Sequence, residues 1–139
     1  MNVIIIGSGN VGSNLSRQLT DRGHQVVMID TDADALRKLP RGRVDSGVIQ
    51  VLVRDGSLSS ALVEAGISNS EVLIAATGND PLNGLIAQKA KEMFNVAKVV
   101  TAVKDTALHS MYESMGIDTV NKSESVTGQL MQSITGEQD

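Results

Sequence analysis

The sequence predicts a single α/β domain, a doubly wound parallel sheet of about six strands with helices on both faces. Three observations predict it. Apolar runs without polar alternation, such as Val3-Ile4-Ile5-Ile6, are the mark of strands buried on both faces. These runs alternate with segments whose apolar residues recur at helical spacing, the rhythm of βαβ units. Thirteen glycines and two prolines punctuate the 139 residues and fall mostly between those segments.

The first strand, Val3–Ile6, closes at Gly7. Val11, Leu15 and Leu19 then give a helix over Asn10–Arg22, stopped by Gly23. Gln25-Val26-Val27-Met28-Ile29 is a second buried strand ending at Asp30. Ala33–Leu39 is a short helix ended by Pro40, and Arg41–Gly47 reads as irregular. Val48–Val53 is the third strand, followed by a helix over Leu58–Ala65 that closes at Gly66. Glu71–Ala76 is the fourth strand, and Asp80 is expected to cap a longer helix reaching about Phe94. Lys98–Val103 is the fifth strand, Thr106–Met115 a helix closed by Gly116, and Ile117–Val120 the sixth strand. A last helix is expected over Val126–Ile134, with residues 136–139 as a frayed tail.

Composition narrows the function. Apolar residues make up 41% of the chain, but Phe94 and Tyr112 are the only aromatics, so the core must be aliphatic. With no cysteine there is no disulfide framework, thiolate metal site or cysteine nucleophile. His24 and His109 are too few for a histidine-based metal cluster. A net charge of −4, no basic run and almost no rings to stack on bases argue against nucleic-acid binding. No apolar stretch approaches the roughly 20 residues of a membrane span, and the N-terminus has no basic leader. A cytoplasmic domain with no direct membrane insertion is expected.

Gly7-Ser8-Gly9-Asn10-Val11-Gly12 fits G-x-G-x-x-G between an apolar strand and a helix, the setting that gives the motif its meaning. Gly7 permits the tight turn, Gly9 lets a pyrophosphate approach the backbone, and Gly12 lets helix and strand pack closely. The helix N-terminus offers unpaired N–H groups and partial positive charge to phosphate. Asp30 ends the second strand eighteen positions after Gly12, near the spacing of a ribose-binding carboxylate. A carboxylate there accepts from a ribose diol and repels a 2′-phosphate, and Asp32 and Asp34 deepen the repulsion. NADP is therefore disfavoured. The bland alternative is a glycine turn that only shapes the fold and an Asp that only caps the next helix.

Ligands of open α/β sheets sit beyond the carboxyl ends of the strands. Those ends read Gly7–Gly12, Asp30-Thr31-Asp32, Asp55-Gly56-Ser57, Thr77-Gly78-Asn79-Asp80 and Lys104-Asp105. Asp55 either accepts from an adenine amine or, like Ser57, caps the following helix. Lys104 either neutralises a phosphate or is simply solvated. No Ser/His/Asp order, H-E-x-x-H or paired acid–base group stands out, so no catalytic or metal-binding residue is expected. His24 lies in a turn remote from these ends, and His109 falls in a late helix.

Taken together, Gly7-x-Gly9-x-x-Gly12, Met28-Ile29-Asp30-x-Asp32, Asp55-Gly56-Ser57, Ala75-Ala76-Thr77-Gly78-Asn79-Asp80-x-x-Asn83 and Met115-Gly116-Ile117-Asp118-x-Val120 closely resemble the RCK/KTN domain of TrkA-N type. These Rossmann-like domains are nucleotide-binding cytoplasmic regulators of Trk/Ktr potassium uptake systems and of ligand-gated potassium channels. The likeness runs from Met1 to about Thr135. It implies a regulator, not an enzyme, that binds an adenine nucleotide (NAD, NADH, ATP or ADP), forms a homodimer or higher ring, and meets a membrane potassium transporter or channel subunit. By carry-over, Gly7, Ser8, Gly9, Asn10, Val11 and Gly12 hold the phosphates and Asp30, with Thr31 and Asp32, the ribose. Asp55 and Gly56 lie near the adenine, and Ala76, Thr77, Gly78, Asn79 and Lys104 complete the candidate set.

The chain departs from the family pattern at three places. Arg54 stands where a Gly usually precedes the Asp, Arg41–Gly47 is a longer connection, and Ala102 stands where an Arg is often found. No C-terminal subdomain of the family is present, which leaves a single-lobe regulator or a piece of a longer protein. Two other functions remain open at this point. One is the cofactor domain of an NAD-dependent oxidoreductase, which would need a substrate domain from a partner. The other is a degenerate oligomerisation scaffold.

Overall fold

The computed structural model describes residues 1–121, 130–131 and 133–135. Six strands, β1 (Asn2–Ile6), β2 (Gln25–Asp30), β3 (Ile49–Val53), β4 (Val72–Ala75), β5 (Lys98–Val103) and β6 (Asp118–Asn121), form one sheet in the order β3-β2-β1-β4-β5-β6. Every neighbouring pair is parallel. The helices are α1 (Asn10–Asp21), α2 (Ala33–Leu36), α3 (Arg41–Asp45), α4 (Ser59–Glu64), α5 (Asp80–Glu92) and α6 (His109–Ser114). The predicted doubly wound fold is the one observed.

Parallel strands covered on both faces must bury successive side chains in opposite directions, and β1 does so. Val3 and Ile5 join Val26, Met28 and Ile49 under Leu15 and Leu19 of α1, Leu36 of α2 and Val44 of α3. Ile4 and Ile6 join Leu73, Ala75 and Val99 under Leu62 of α4, Ile86, Ala87 and Ala90 of α5 and Tyr112 of α6. Burying one such aliphatic side chain stabilises by about 1.5–3 kcal/mol, so these two layers fix the positions of all the strand ends.

The sequence expectations fail at a few boundaries. Arg41–Asp45 is a short helix rather than an irregular stretch. Its cause is tertiary: Arg43 Nη1 donates to Arg17 O at 2.7 Å and its other nitrogen pairs with Asp21, while Val44 reaches the core. The helix before Pro40 is only Ala33–Leu36, because proline disfavours helical backbone at the residue preceding it. Thr106–Leu108 is a 3₁₀ turn leading into α6. The cap of α5 is Asn79, whose side chain accepts from Leu82 N at 3.0 Å; Asp80 is the first helical residue. Leu130, Met131 and residues 133–135 are helical, and the rest of the expected last helix and the tail lie outside the described residues. No helix among the described residues is long and apolar enough to cross a membrane.

Candidate functional site

The chain runs outward from β1 to β3 on one side and from β4 to β6 on the other, so its direction of winding reverses between β1 and β4. A cleft of about 350 Å³ opens there, beyond the carboxyl ends of β1 to β4. A smaller hollow of about 170 Å³ lies at the opposite ends of the strands, beside Asn2, Gln25 and Asn69, away from the glycine turn.

The three motif glycines are required for different reasons. Gly7 has φ +107°, and a Cβ there would stand 2.5 Å from Ala76 O, so both conformation and space exclude a side chain. A Cβ on Gly12 would run into the Gly7 carbonyl oxygen, which is how closely α1 sits on the turn. Gly9 is the open position: a Cβ there meets nothing within 4 Å. Gly9 is also the N-cap of α1, with no side-chain cap and no acidic residue in the first turn. The first-turn N–H groups of α1 have no intrahelical partner, and the positive end of the helix dipole is unneutralised by any acid of that turn.

Asp30 is bound to the glycine turn. Its Oδ2 accepts from Ser8 N at 2.8 Å and from Ser8 Oγ at 2.9 Å, and its Oδ1 accepts from Asp32 N at 2.9 Å. Burial by itself would raise the Asp30 pKa. The hydrogen bonds from Ser8 N, Asp32 N, Ser8 Oγ and Thr31 N outweigh that effect and hold it below the ordinary 3.8. The acid is therefore ionised and aimed before any ligand arrives.

Asp55 Oδ1 accepts from Ser57 Oγ at 2.7 Å and from Ser57 N at 2.9 Å, which lowers its pKa, with Lys89 adding a smaller push in the same direction. It closes a local turn and does not cap α4, whose N-cap is Leu58 with no side-chain cap. Lys89 Nζ holds the same turn through Ser57 O at 2.5 Å. Gly56 is glycine because a Cβ would come 2.6 Å from Ile6 Cγ2.

On the opposite wall, the loop after β4 hangs on Asn83 of α5, which is fully buried. Asn83 Oδ1 accepts from Thr77 N at 2.9 Å and Thr77 Oγ1 at 2.5 Å, while its Nδ2 donates to Thr77 O at 3.0 Å and Ala102 O at 3.3 Å. One side chain thus fixes both faces of Thr77 and ties the loop to β5.

Gly7, Gly9, Asp30, Thr31, Asp32, Asp55, Gly56, Ala76, Thr77 and Gly78 line the cleft. Ser8, Asn10, Val11, Gly12, Asn79 and Lys104 do not. Ser8 is buried and turned onto Asp30, Asn79 caps α5, and the backbone N–H of Lys104 donates to Asp80 Oδ2 at 2.7 Å. Ile6, Ile29, Ala35, Arg54, Leu82 and Ile86 also line it, beyond the residues the motifs point to. Ile6 and Ile29 carry a readable signal, since the last core residue of a strand floors whatever binds beyond its end. His24 Nδ1 lies 3.0 Å from the N-terminal amine, and His109 Nε2 lies 3.0 Å from Glu113; neither is at the cleft. Among the described residues no group of three or more His, Cys, Asp or Glu is arranged to hold a metal ion.

A six-stranded parallel sheet in this order, with a G-x-G-x-x-G turn opening α1 and an acid ending β2, defines a Rossmann-type domain. The chain belongs to the TrkA-N domain family, which it matches over residues 3–122. It is 34% identical over 123 residues to the Trk system potassium uptake protein TrkA of Streptomyces coelicolor, covering 86% of this chain and 52% of that protein. The chain therefore spans about half the length of that relative. Relatives at this level are named for potassium uptake.

Solved structures share the fold. The TrkA-N domain of inner membrane protein ybaL from Escherichia coli aligns with a TM-score of 0.80 at 14% identity, covering 94% of both chains. The Shewanella denitrificans Kef CTD in AMP bound form aligns at 0.76 with 19% identity, covering 99% of this chain and 83% of that one. The GsuK channel bound to NAD aligns at 0.69 with 17% identity, covering 86% of this chain and 21% of the channel.

Proposed function

We propose that this domain binds an adenine nucleotide (NAD, NADH, ATP or ADP) across the carboxyl ends of β1 to β4 and thereby regulates a membrane potassium transporter or channel. The observation that carries the reading is the Ser8–Asp30 lock beside an uncapped helix N-terminus, with Gly9 open between them. Phosphates would take the first-turn N–H groups of α1, at Asn10, Val11 and Gly12, over the backbone of Gly9. Asp30 would accept from the ribose diol through the capacity left on Oδ1. The base would lie toward Asp55 and Gly56, with Thr77 and Gly78 on the other wall and Ile6, Ile29 and Ile86 beneath. Thr31, Asp32 and Ala76 complete the lining, and Lys104 stands outside it.

The ligands named for the Kef and GsuK structures, AMP and NAD, share an adenosine phosphate, and that shared part is what this cleft suits. A 2′-phosphate would meet Asp30, Asp32 and Asp55, so NADP is disfavoured. Regulation follows only if the nucleotide binds one conformation of the assembly better than another. In the reading proposed here, the chain works as a homodimer or higher ring at the cytoplasmic face of the membrane and residues 1–139 form one nucleotide-binding domain. The oxidoreductase alternative shares the glycine turn and Asp30 but needs a substrate domain from a partner, and the scaffold alternative predicts no ligand response at the cleft.

Isothermal titration calorimetry with ATP, ADP, AMP, NAD, NADH and NADPH tests the ligand. Saturable binding of at least one non-2′-phosphorylated adenine nucleotide is expected, with unequal affinities within the ATP/ADP or NADH/NAD pair. No heat from any of the six overturns the reading.

A further inference from the structure

Arg54 follows β3, and its N–H donates to Asp30 O at 3.1 Å, so it stands beside the ribose acid in the sheet. Side chains alternate along a strand, and Leu52 packs into the layer under α4; Arg54, two residues on, continues that face. Its guanidinium pairs with Glu64 of α4, and Nη2 lies 3.3 Å from Ser60 Oγ. Among the described residues that line the cleft, Arg54 is the one cation, set with the carboxylates Asp30, Asp32 and Asp55. The glycine turn follows β1, two strands away, roughly 10 Å at the usual strand spacing, so Arg54 belongs to the ribose and base end.

A guanidinium beside the ribose recognises a 2′-phosphate, because its planar donors match phosphate oxygens in pairs. Here that charge is matched by Glu64, which does not itself line the cleft. The two side chains are 40% and 47% exposed, so the pair is weak and readily repartnered. With Glu64 in place that guanidinium is neutralised, and the three carboxylates of the rim favour a free diol. Without the Glu64 charge, the same guanidinium is available to a phosphorylated ribose.

We infer that Glu64, acting through Arg54, is a specificity-determining residue that keeps 2′-phosphorylated nucleotides out of this cleft. The inference rests on the adenine-nucleotide reading above. Its test is the ratio of NAD to NADP affinity, measured by calorimetry on the wild type, on Glu64→Gln and on the Arg54→Ala/Glu64→Gln double variant. Glu64→Gln is expected to hold NAD affinity within about twofold and to gain about fivefold for NADP, the scale of one half-exposed ion pair. Adding Arg54→Ala should abolish the gain. An unchanged ratio in Glu64→Gln, or a gain that persists without Arg54, overturns the inference while NAD binding by the wild type leaves the nucleotide site standing. If the wild type binds none of ATP, ADP, AMP, NAD, NADH and NADPH, the site reading itself fails and the inference fails with it; binding of a mononucleotide but of no dinucleotide overturns the inference and leaves the site reading standing.

Discussion

Ser8 gives both its backbone N–H and its hydroxyl to the same carboxylate oxygen of Asp30, at 2.8 and 2.9 Å. The two residues are 22 positions apart and end neighbouring strands of the sheet, β1 and β2. The glycine turn and the Asp30 carboxylate are therefore one preorganised unit, and ordering them requires nothing from a ligand. Asp30 Oδ1 accepts from Asp32 N at 2.9 Å and, as a carboxylate oxygen with two lone pairs, retains acceptor capacity.

Ser8→Ala removes one of the two bonds from a buried position and leaves the backbone bond in place. It should destabilise by about 1.5–3 kcal/mol, the net worth of a hydrogen bond to a charged group, read from the urea midpoint at unchanged slope.

The motif glycines should separate folding from binding. Gly12→Ala drives a methyl into the Gly7 carbonyl and should cost about 3 kcal/mol or more, or yield no soluble protein. Gly9→Ala points into open space at an ordinary φ of −67° and should leave stability within about 0.5 kcal/mol. Its nucleotide affinity should nonetheless fall about tenfold or more, as the methyl stands where phosphate approaches. Thermal melts and calorimetry on the same preparations check both halves.

Asn83→Ala removes the acceptor of the half-buried Thr77 N–H, leaves the Thr77 hydroxyl only its contacts with Asn79, and releases the loop from β5. A loss of about 2–4 kcal/mol is expected from the unsatisfied groups and the cavity. Hydrogen exchange should rise first in residues 76–79, and retained protection there would show that Asn83 does not hold the loop.

Asp30 and Asp55 both have folded pKa values below 3.8. Such groups contribute stability that is fully present above their unfolded values and is lost as pH falls through the folded ones. The contribution of these acids to the melting temperature should thus be full and constant between pH 8 and pH 5, by the same linkage, and decline below about pH 4. The decline should be shallower in Asp30→Asn, as followed by circular dichroism across the pH range.

Much of this was legible from residues alone. The unbroken apolar run at Val3–Ile6 required two covered faces, and both faces are covered. Gly7, Gly12 and Asp30 could be read because motif, strand end and spacing coincide. What stayed hidden depends on distant partners. Arg41–Asp45 is too short to show a period and is helical because Arg43 grips α1. Ser8 reads as a phosphate ligand until its partner across 22 residues is seen. Asp80 reads as a cap, but Asn79 reaches Leu82 N and Asp80 instead accepts from Lys104 N. Arg54 was visible as a departure from the family pattern, yet its pairing with Glu64 is a tertiary fact.

The central claim is that an adenine nucleotide occupies the cleft at the carboxyl ends of β1 to β4. Amide chemical-shift mapping of the ¹⁵N-labelled protein against NAD and AMP tests it most directly. The account predicts the largest shifts at Gly9–Gly12, Asp30–Asp32, Asp55–Gly56 and Thr77–Gly78, and their loss in Asp30→Ala. Shifts gathered instead at Asn2, Gln25 and Asn69, at the far ends of the strands, or no shifts at saturating ligand, would contradict it.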